Sequence, residues 1–574
     1  MPAFPAMPHS LPAALAFAVA CAAAHGLPTP ATPAHPIPVS IQVDASRAIG
    51  PMTPIWRFFG ADEPNYATMK DGRRLLAELG SLDRQHVYFR THNLLNTGDG
   101  VPALKWGSTN AYTEDARGRP VYDWTILDRI FDTYFARGVR PYVEIGFMPE
   151  ALSIHPRPYQ HAWRPGSPYM DISTGWAYPP KDYARWGELV YQWARHCVQR
   201  YGKAEVERWY WETWNEPNGA AYWHGTPEEF FKLHDIAVAA VRRALPSARV
   251  GGPDVAGSGG AFMEAFLRHC AEGTNYATGA RGTPTDFLSF HAKGQPRFVD
   301  GHVQMGIASQ LSGTAKGFAM IAAIPAFRHT PIVIGENDPD GCAACVGPQL
   351  DYRRGTLYSS YEAEVIARDY ALADAYGVNL RGALTWAFEF EDQPFFAGQR
   401  VLATAGIDLP VLNVFRMLSL MGGERVATSS SAGLPLGAIV AHGVRGAPDI
   451  SALASLQPGR LAVLVWYYHD DDVPGPDARV HLSLDHLPLP SGALHLTQYR
   501  IDETHSNAYA LWRKLGSPAA PNETEYRRLQ DAGRLAVLAG SPAMVNADQG
   551  SAALDFTLPR QGVSLLVFSW TPSR

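Results

Sequence analysis

Two stretches of this chain place carboxylic acids where apolar runs stop. In the first, Trp211, Glu212, Thr213, Trp214, Asn215, Glu216, Pro217 and Asn218 follow one another. In the second, Pro331, Ile332, Val333, Ile334 and Gly335 lead into Glu336, Asn337 and Asp338. A short apolar run ending in a polar cluster is how a buried parallel strand looks when it carries a side chain to a barrel rim. Two carboxyl groups delivered this way suit acetal hydrolysis. One protonates the leaving oxygen, and the other meets the cation that develops at the sugar carbon. The chemistry these residues suggest is cleavage of a glycosidic bond.

Such delivery needs a frame of strands, and the chain supplies one. Strand-like runs at 56–60, 86–92, 140–147, 206–214, 248–253, 286–291, 332–336 and 381–388 alternate with helix-like runs. The helices are expected at 70–82, 124–136, 182–201, 227–245, 262–272, 311–327, 358–376 and 411–420. Thr226 and Pro227 have the cap and first-turn chemistry of a helix start. Eight strand–helix units in succession predict an α/β fold, a (β/α)8 TIM barrel spanning 55–425. A doubly wound open sheet would bring a glycine-rich phosphate loop after its first strand, and this chain has none.

From 426 to 574 the pattern changes to alternating apolar runs at 461–468, 480–484, 493–499 and 562–569, with one helical stretch at 526–538. This predicts an all-β sandwich. Residues 39–54 open with the same alternation and are expected to return to that sandwich as an extra strand. At the N-terminus, the apolar run 11–24 is too short to span a bilayer and ends in Ala22, Ala23 and Ala24. It reads as a signal peptide over 1–24, although no Lys or Arg precedes it, followed by a Pro/Thr/Ala linker over 25–38. The expected location is periplasmic or secreted, or cytoplasmic if the run is not processed.

Composition narrows the partners. The 574 residues carry a net charge of -6, with 18% charged and 11% aromatic residues, and no basic run. That excludes a nucleic-acid binder, and the aromatics suit a cleft for neutral rings. Nothing in the sequence fixes an oligomeric state. The pair Cys342 and Cys345 lacks the second pair a zinc site would want, so a small local disulfide is expected. Cys197 and Cys270 lie in helical segments and read as buried fillers. Asn522, Glu523 and Thr524 form a formal glycosylation sequon.

The polar residues at the strand ends are Arg90 and His92 (second strand), Asn215 and Glu216 (fourth), His291 (sixth), Glu336 (seventh), and Glu389 and Glu391 (eighth). Glu212 shares strand parity with Trp214, is expected to point into the barrel, and needs a partner there. Arg90 could serve both Glu212 and Glu336. Glu144 on the third strand poses the same question.

Asn-Glu-Pro after the fourth strand with Glu after the seventh resembles the clan A retaining glycosidases. With Arg-x-His after the second strand and Trp-x-Phe after the eighth, the chain looks like glycoside hydrolase family 39, a family of β-xylosidases and α-L-iduronidases that joins a barrel to a β-sandwich. The resemblance covers nearly the whole chain after the linker. It implies Glu216 as general acid/base and Glu336 as nucleophile, with the carboxyl groups about 5–5.5 Å apart. Trp211, Trp214, Tyr222 and Trp223 are expected to wall Glu216, and Arg90 to donate to Glu336. Asn215 would donate to the sugar 2-hydroxyl, while His92 and His291 would bind hydroxyls or orient the carboxylates. Trp386 would be a stacking platform, Glu389 or Glu391 would accept from the 3- and 4-hydroxyls, and Phe147 would be a further wall.

No step of this chemistry needs a cofactor or a metal. An iduronide carries a carboxylate and needs cations, whereas this rim is acidic and Lys293 is its one nearby Lys. The expected substrate is therefore a β-1,4-xyloside at the non-reducing end of a small xylo-oligosaccharide. An α-L-iduronidase or another exo-glycosidase is the first alternative, and a non-catalytic carbohydrate binder is a remote one.

Overall fold

The computed structural model describes residues 35–102, 108–160, 172–387, 391–489 and 491–571. The expected signal peptide, most of the linker, and Glu389 lie outside the described residues. Eight strands close into a parallel barrel. In chain order they are Phe58–Ala61, Val87–Thr91, Val139–Glu144, Tyr210–Glu212, Arg249–Val255, Phe287–Lys293, Pro331–Asp338 and Asn379–Trp386. They are numbered first to eighth below.

The helices between the strands follow the apolar spacing of the sequence. Lys70–Leu82 buries Leu75, Leu76 and Leu79. Pro227–Ala244 begins with a capping box in which Thr226 and Glu229 satisfy each other's backbone amides. The fourth strand is shorter than expected. Gly202, at φ +85°, ends the helix before it, and residues Lys203–Val206 form a separate helical turn. Glu205 of that turn pairs with Arg140 at 2.5 Å, so the chain reaches the barrel only at Tyr210.

The barrel interior is layered. Phe58, Tyr88, Tyr142, Tyr210 and Phe287 form an aromatic plug together with Val333, Leu384 and Trp386. Tyr88 and Tyr210 pack edge to face at 5.0 Å, as do Tyr210 and Phe287. The next inward position on the second and fourth strands is Arg90 and Glu212, where the interior turns polar.

Among the described residues, six of the remaining strands pair as three short two-stranded ribbons, and the other ten do not divide into two hydrogen-bonded sheets. They form one ten-stranded sheet in which Ile37–Pro51 is an interior member, parallel to Ala478–Asp485 and antiparallel to Glu424–Ser430. Met544–Ala547, near one end, lies against Ala552–Leu558 at the other, so the sheet doubles over. The N-terminal strand thus begins at Ile37, inside the expected linker.

Alternation places the two faces in different cores. Leu461, Val463, Val465 and Phe568 face the enclosed core of the sheet. Leu464, Trp466, Leu565 and Val567 face the barrel. Helix Thr356–Tyr376 lies between barrel and sheet and is buried around most of its circumference. Arg368 on this helix bonds Asp449 of the sheet at 2.7 Å.

The sheet region also holds helices Leu436–His442, Ala508–Lys514 and Glu523–Gly533, where a single stretch at 526–538 was expected. The last of these is capped by Asn522, whose side chain accepts from Glu525 N. The formal sequon asparagine is therefore a helix cap.

Cys342 and Cys345 form a disulfide, and Cys197 and Cys270 are free and buried. Closing so short a loop removes only about 2 kcal/mol of unfolded-chain entropy. Reduction should therefore lower the unfolding temperature by no more than a few degrees, which calorimetry with and without reductant will check.

Candidate active site

The polar residues at the strand ends meet around Arg90, whose side chain is completely buried. Nε donates to Glu212 Oε2 at 2.7 Å, Nη2 donates to Asp254 and to Asn215 Oδ1 (3.1 Å), and Nη2 makes an ion-pair contact with Glu144 Oε2 at 2.8 Å. Glu212 also accepts from Tyr142 Oη at 2.8 Å and Ser289 Oγ at 2.5 Å. One guanidinium thus ties the second, third, fourth and fifth strands together at rim level. Burial and Asp254 push the Glu212 carboxyl up to about 7 against the pull of Arg90. Burial pushes Glu144 up to about 8, with His92 and Arg90 opposing.

Glu336 lies above this layer. Its Oε2 accepts from Lys293 Nζ at 2.5 Å, while Oε1 is 3.5 Å from His92 Nε2 and 3.6 Å from Arg90 Nη1. Burial alone would raise its pKa, but Lys293, His291 and His92 outweigh burial and hold it well below the usual carboxylate range. A buried, ionised carboxylate is what a nucleophile requires. Its closest donor is Lys293 rather than Arg90, because Arg90 is engaged by the carboxylates beneath it.

Glu216 stands across the pocket. Its Oε1 bonds His291 Nδ1 at 2.8 Å, and Oε2 has no protein partner among the described residues. The same His291 nitrogen is 3.8 Å from Glu336 Oε2. The nearest oxygens of the two carboxyl groups can be no further apart than the sum of those contacts. That bound is compatible with the retaining spacing of about 5–5.5 Å.

His291 Nε2 bonds Asp254 Oδ2 at 2.7 Å. Burial opposes charge on this ring, but Asp254, Glu336 and Glu216 push it up to about 10. His92, bonded through Nδ1 to Asp62 at 3.1 Å, is likewise pushed up to about 9 against burial by Glu144, Asp62 and Glu336.

The backbone is committed to this arrangement. Glu216 and Asp254 both adopt left-handed φ, +45° and +57°, and Glu216 N donates to Asp254 O at 2.8 Å. Strained conformations of this kind cost about 1–3 kcal/mol and persist where surrounding structure enforces them. Gly335 is required because a Cβ there would lie 1.8 Å from Asp254 Oδ1. Asn215 is buried, and its Nδ2 has no partner among the described residues, leaving a donor for a ligand hydroxyl.

Other expectations are corrected. Trp211 faces outward and packs on Trp193 and Trp209, because inward parity on its strand belongs to Tyr210 and Glu212. Trp214, Tyr222 and Phe147 do pack together on the Glu216 side, with Phe147 5.8 Å from His92. Trp386 is a floor rather than an open platform. It is 3% exposed, and His92 lies 4.6 Å from its ring. Glu391 turns away to cap a helix, its Oε1 accepting from Asp71 N at 2.7 Å and Gly72 N at 3.3 Å.

Asp254 and Asp62 escaped the sequence reading, and Asp338 was read only as part of the polar cluster with Glu336. Asp62 follows the first strand, while Asp254 and Asp338 lie in the last residues of the fifth and seventh, so each could have been found as a polar residue at a strand end. Among the described residues, no group of His, Cys, Asp or Glu is arranged to hold a metal ion, and no helix is long and apolar enough to cross a membrane.

A closed barrel with two facing carboxyl groups, one partly exposed and one buried and ionised, is the framework of a glycosidase. The chain belongs to glycosyl hydrolases family 39, whose sequence model matches residues 39–548. A β-xylosidase of Geobacillus stearothermophilus is 26% identical over 459 residues, 78% of this chain and 79% of that protein. The human α-L-iduronidase is 27% identical over 550 residues, 88% of this chain and 74% of that one. The crystal structure of a family 39 enzyme from Xanthomonas axonopodis pv. citri has the same fold, with a TM-score of 0.70 at 23% identity, covering 93% and 98% of the two chains.

The titrating groups at the site give a pH signature. Unfolded histidine titrates near 6.5. The stabilisation from His92 and His291 is therefore complete below about pH 6.5 and is lost as the pH rises through about 9 and about 10. Glu144 and Glu212, raised to about 8 and about 7, act in the same direction. Thermal melts should show the unfolding temperature falling between about pH 7 and 10. A flat profile there would contradict the site electrostatics.

Proposed function

We propose that this chain is a retaining exo-glycosidase that removes one sugar from the non-reducing end of a small oligosaccharide. The observation that carries this reading is the single His291 nitrogen within reach of both Glu216 and Glu336. In the first step Glu336 attacks the anomeric carbon while Glu216 gives its proton to the departing oxygen. The glycosidic bond breaks and a glycosyl-enzyme ester forms. In the second step Glu216 takes a proton from water. The water oxygen bonds the same carbon, and Glu336 leaves as carboxylate. Asn215 Nδ2 is placed to donate to the 2-hydroxyl.

A β-xyloside is the first substrate of this reading. Among the described residues, each cation around Glu336 is already paired, with Lys293 between Glu336 and Asp338 and Arg400 on Asp338, which favours a neutral sugar over one that carries a carboxylate. The buried floor of Trp386 and Phe147 suits a small ring without a C5 substituent. One observation favours an α-L-iduronide as the second reading. Lys293 remains 16% exposed beside Glu336 Oε2, on the other carboxylate oxygen from Arg90 and His92, and is a cation that a sugar carboxylate could approach.

Release of p-nitrophenol from p-nitrophenyl β-D-xylopyranoside tests the first reading, with an aryl α-L-iduronide run in parallel. Glu336→Ala should abolish turnover of whichever substrate the wild type accepts. Glu216→Ala should lower kcat by about 10²–10⁴ on a poor leaving group, and much less on dinitrophenol. Turnover that survives Glu336→Ala would sink the nucleophile assignment.

A further inference from the structure

Glu336 is one end of a row of alternating charges. Lys293 Nζ lies 2.5 Å from Glu336 Oε2 and 2.5 Å from Asp338 Oδ2. Asp338 Oδ1 bonds Arg400 and accepts from Trp386 N at 3.0 Å. Arg400 is 3.7 Å from Asp340, which bonds Arg353 at 2.6 Å. Arg353 in turn donates to the carbonyl oxygens of Cys342 and Cys345 at 2.7 Å, on the disulfide loop. Asp338 has no exposed side-chain surface and is held from the eighth strand and from Arg400. Of the two carboxylates on Lys293, Asp338 is therefore the fixed one and Glu336 the one that reacts.

The reaction makes this difference matter. When Glu336 becomes an ester it loses its charge, and Lys293 loses one of its two partners. An ammonium with no remaining anion beside it would move to water, since a long lysine side chain gains entropy by doing so. We propose that Asp338 is a positioning residue that keeps Lys293 at Glu336 through the lifetime of the glycosyl-enzyme, so that the ammonium is in place to receive the carboxylate as it leaves. In that second step water loses a proton to Glu216, the new carbon–oxygen bond forms, and the ester bond to Glu336 breaks with its electron pair returning to the carboxylate. Lys293 supports that departing charge in a site from which water is largely excluded. The proposal rests on Glu336 being the nucleophile.

The test is kinetic and uses the full chain with a dinitrophenyl glycoside of the sugar that the wild type cleaves. With so good a leaving group, breakdown of the glycosyl-enzyme limits kcat. Asp338→Asn should lower kcat and KM together, by about ten- to a hundredfold, the order expected when a reacting partner is misplaced by about 1 Å. kcat/KM should change by less than about fivefold, and a burst of dinitrophenol should precede the steady state. Lys293→Met should show the same split, and adding Asp338→Asn to it should cost less than about threefold more.

A general loss of structure would lower kcat/KM as much as kcat and give no burst, and that pattern would overturn the proposal. Multiplication of the two single effects in the double variant would overturn it as well. Should Asp338→Asn not fold, Asp338→Glu moves the carboxylate by one methylene and should show the same split at smaller size. Wild-type kinetics there would count against the role. Failure of the underlying reading looks different, since Glu336→Ala would then retain activity or no glycoside would be cleaved at all. Either result removes this proposal with it.

Discussion

The active site depends on a single buried cation. Arg90 lies without solvent in the barrel, where an unpaired guanidinium would be untenable, and it collects Glu144, Glu212, Asp254 and Asn215 from three other strands. Each of those side chains in turn fixes something the chemistry uses. Asp254 holds His291, whose other nitrogen lies within reach of both Glu216 and Glu336. Asn215 is held by its oxygen, while its buried nitrogen has no partner among the described residues. Removing one partner of such a cluster costs about 3–5 kcal/mol, because the charge left behind cannot reach water. The aromatic plug below serves the same end. It closes the bottom of the barrel, and Tyr142 reaches up from it to bond Glu212.

Most of the barrel and the strand-end positions of Glu216 and Glu336 were legible in the sequence, and the reason is local. A buried parallel strand must be apolar, so a Glu at its end stands out, as Glu216 and Glu336 do. The helix at Lys70–Leu82 was readable to the residue because its apolar spacing is interrupted by nothing. What the sequence could not show was which side chains meet. Lys293 was visible as the one lysine near the rim, but its contact with Glu336 depends on the register of the sixth and seventh strands, in which Glu336 pairs with His291 and Asp338 with Lys293. Glu391 looked like a sugar ligand because it follows the eighth strand. It caps a helix through Asp71 N, 320 residues earlier in the chain, and no local pattern records that.

The sheet illustrates a different limit. Alternation in 461–468 and 562–569 was clear, but alternation says only that two faces differ, not what covers each. Here both are covered, one by the doubled-over sheet and one by the barrel. The expected sandwich is built from one continuous, doubled-over sheet because Ile37–Pro51 inserts between strands from the other end of the chain and joins them by hydrogen bonds on both its edges.

Helix Thr356–Tyr376 carries the consequence furthest. A helix on the outside of an ordinary barrel shows one face to water and can be cut free of whatever follows it. This one shows almost none, because the sheet's barrel-facing residues Trp466 and Leu565 lie in the same packed cluster as the barrel. The two architectures are therefore one inheritable unit. Recombination that exchanged the barrel or the sheet alone would unite surfaces that had not been shaped together. Variation in this lineage should accordingly accumulate in the rim loops rather than by exchange of whole domains.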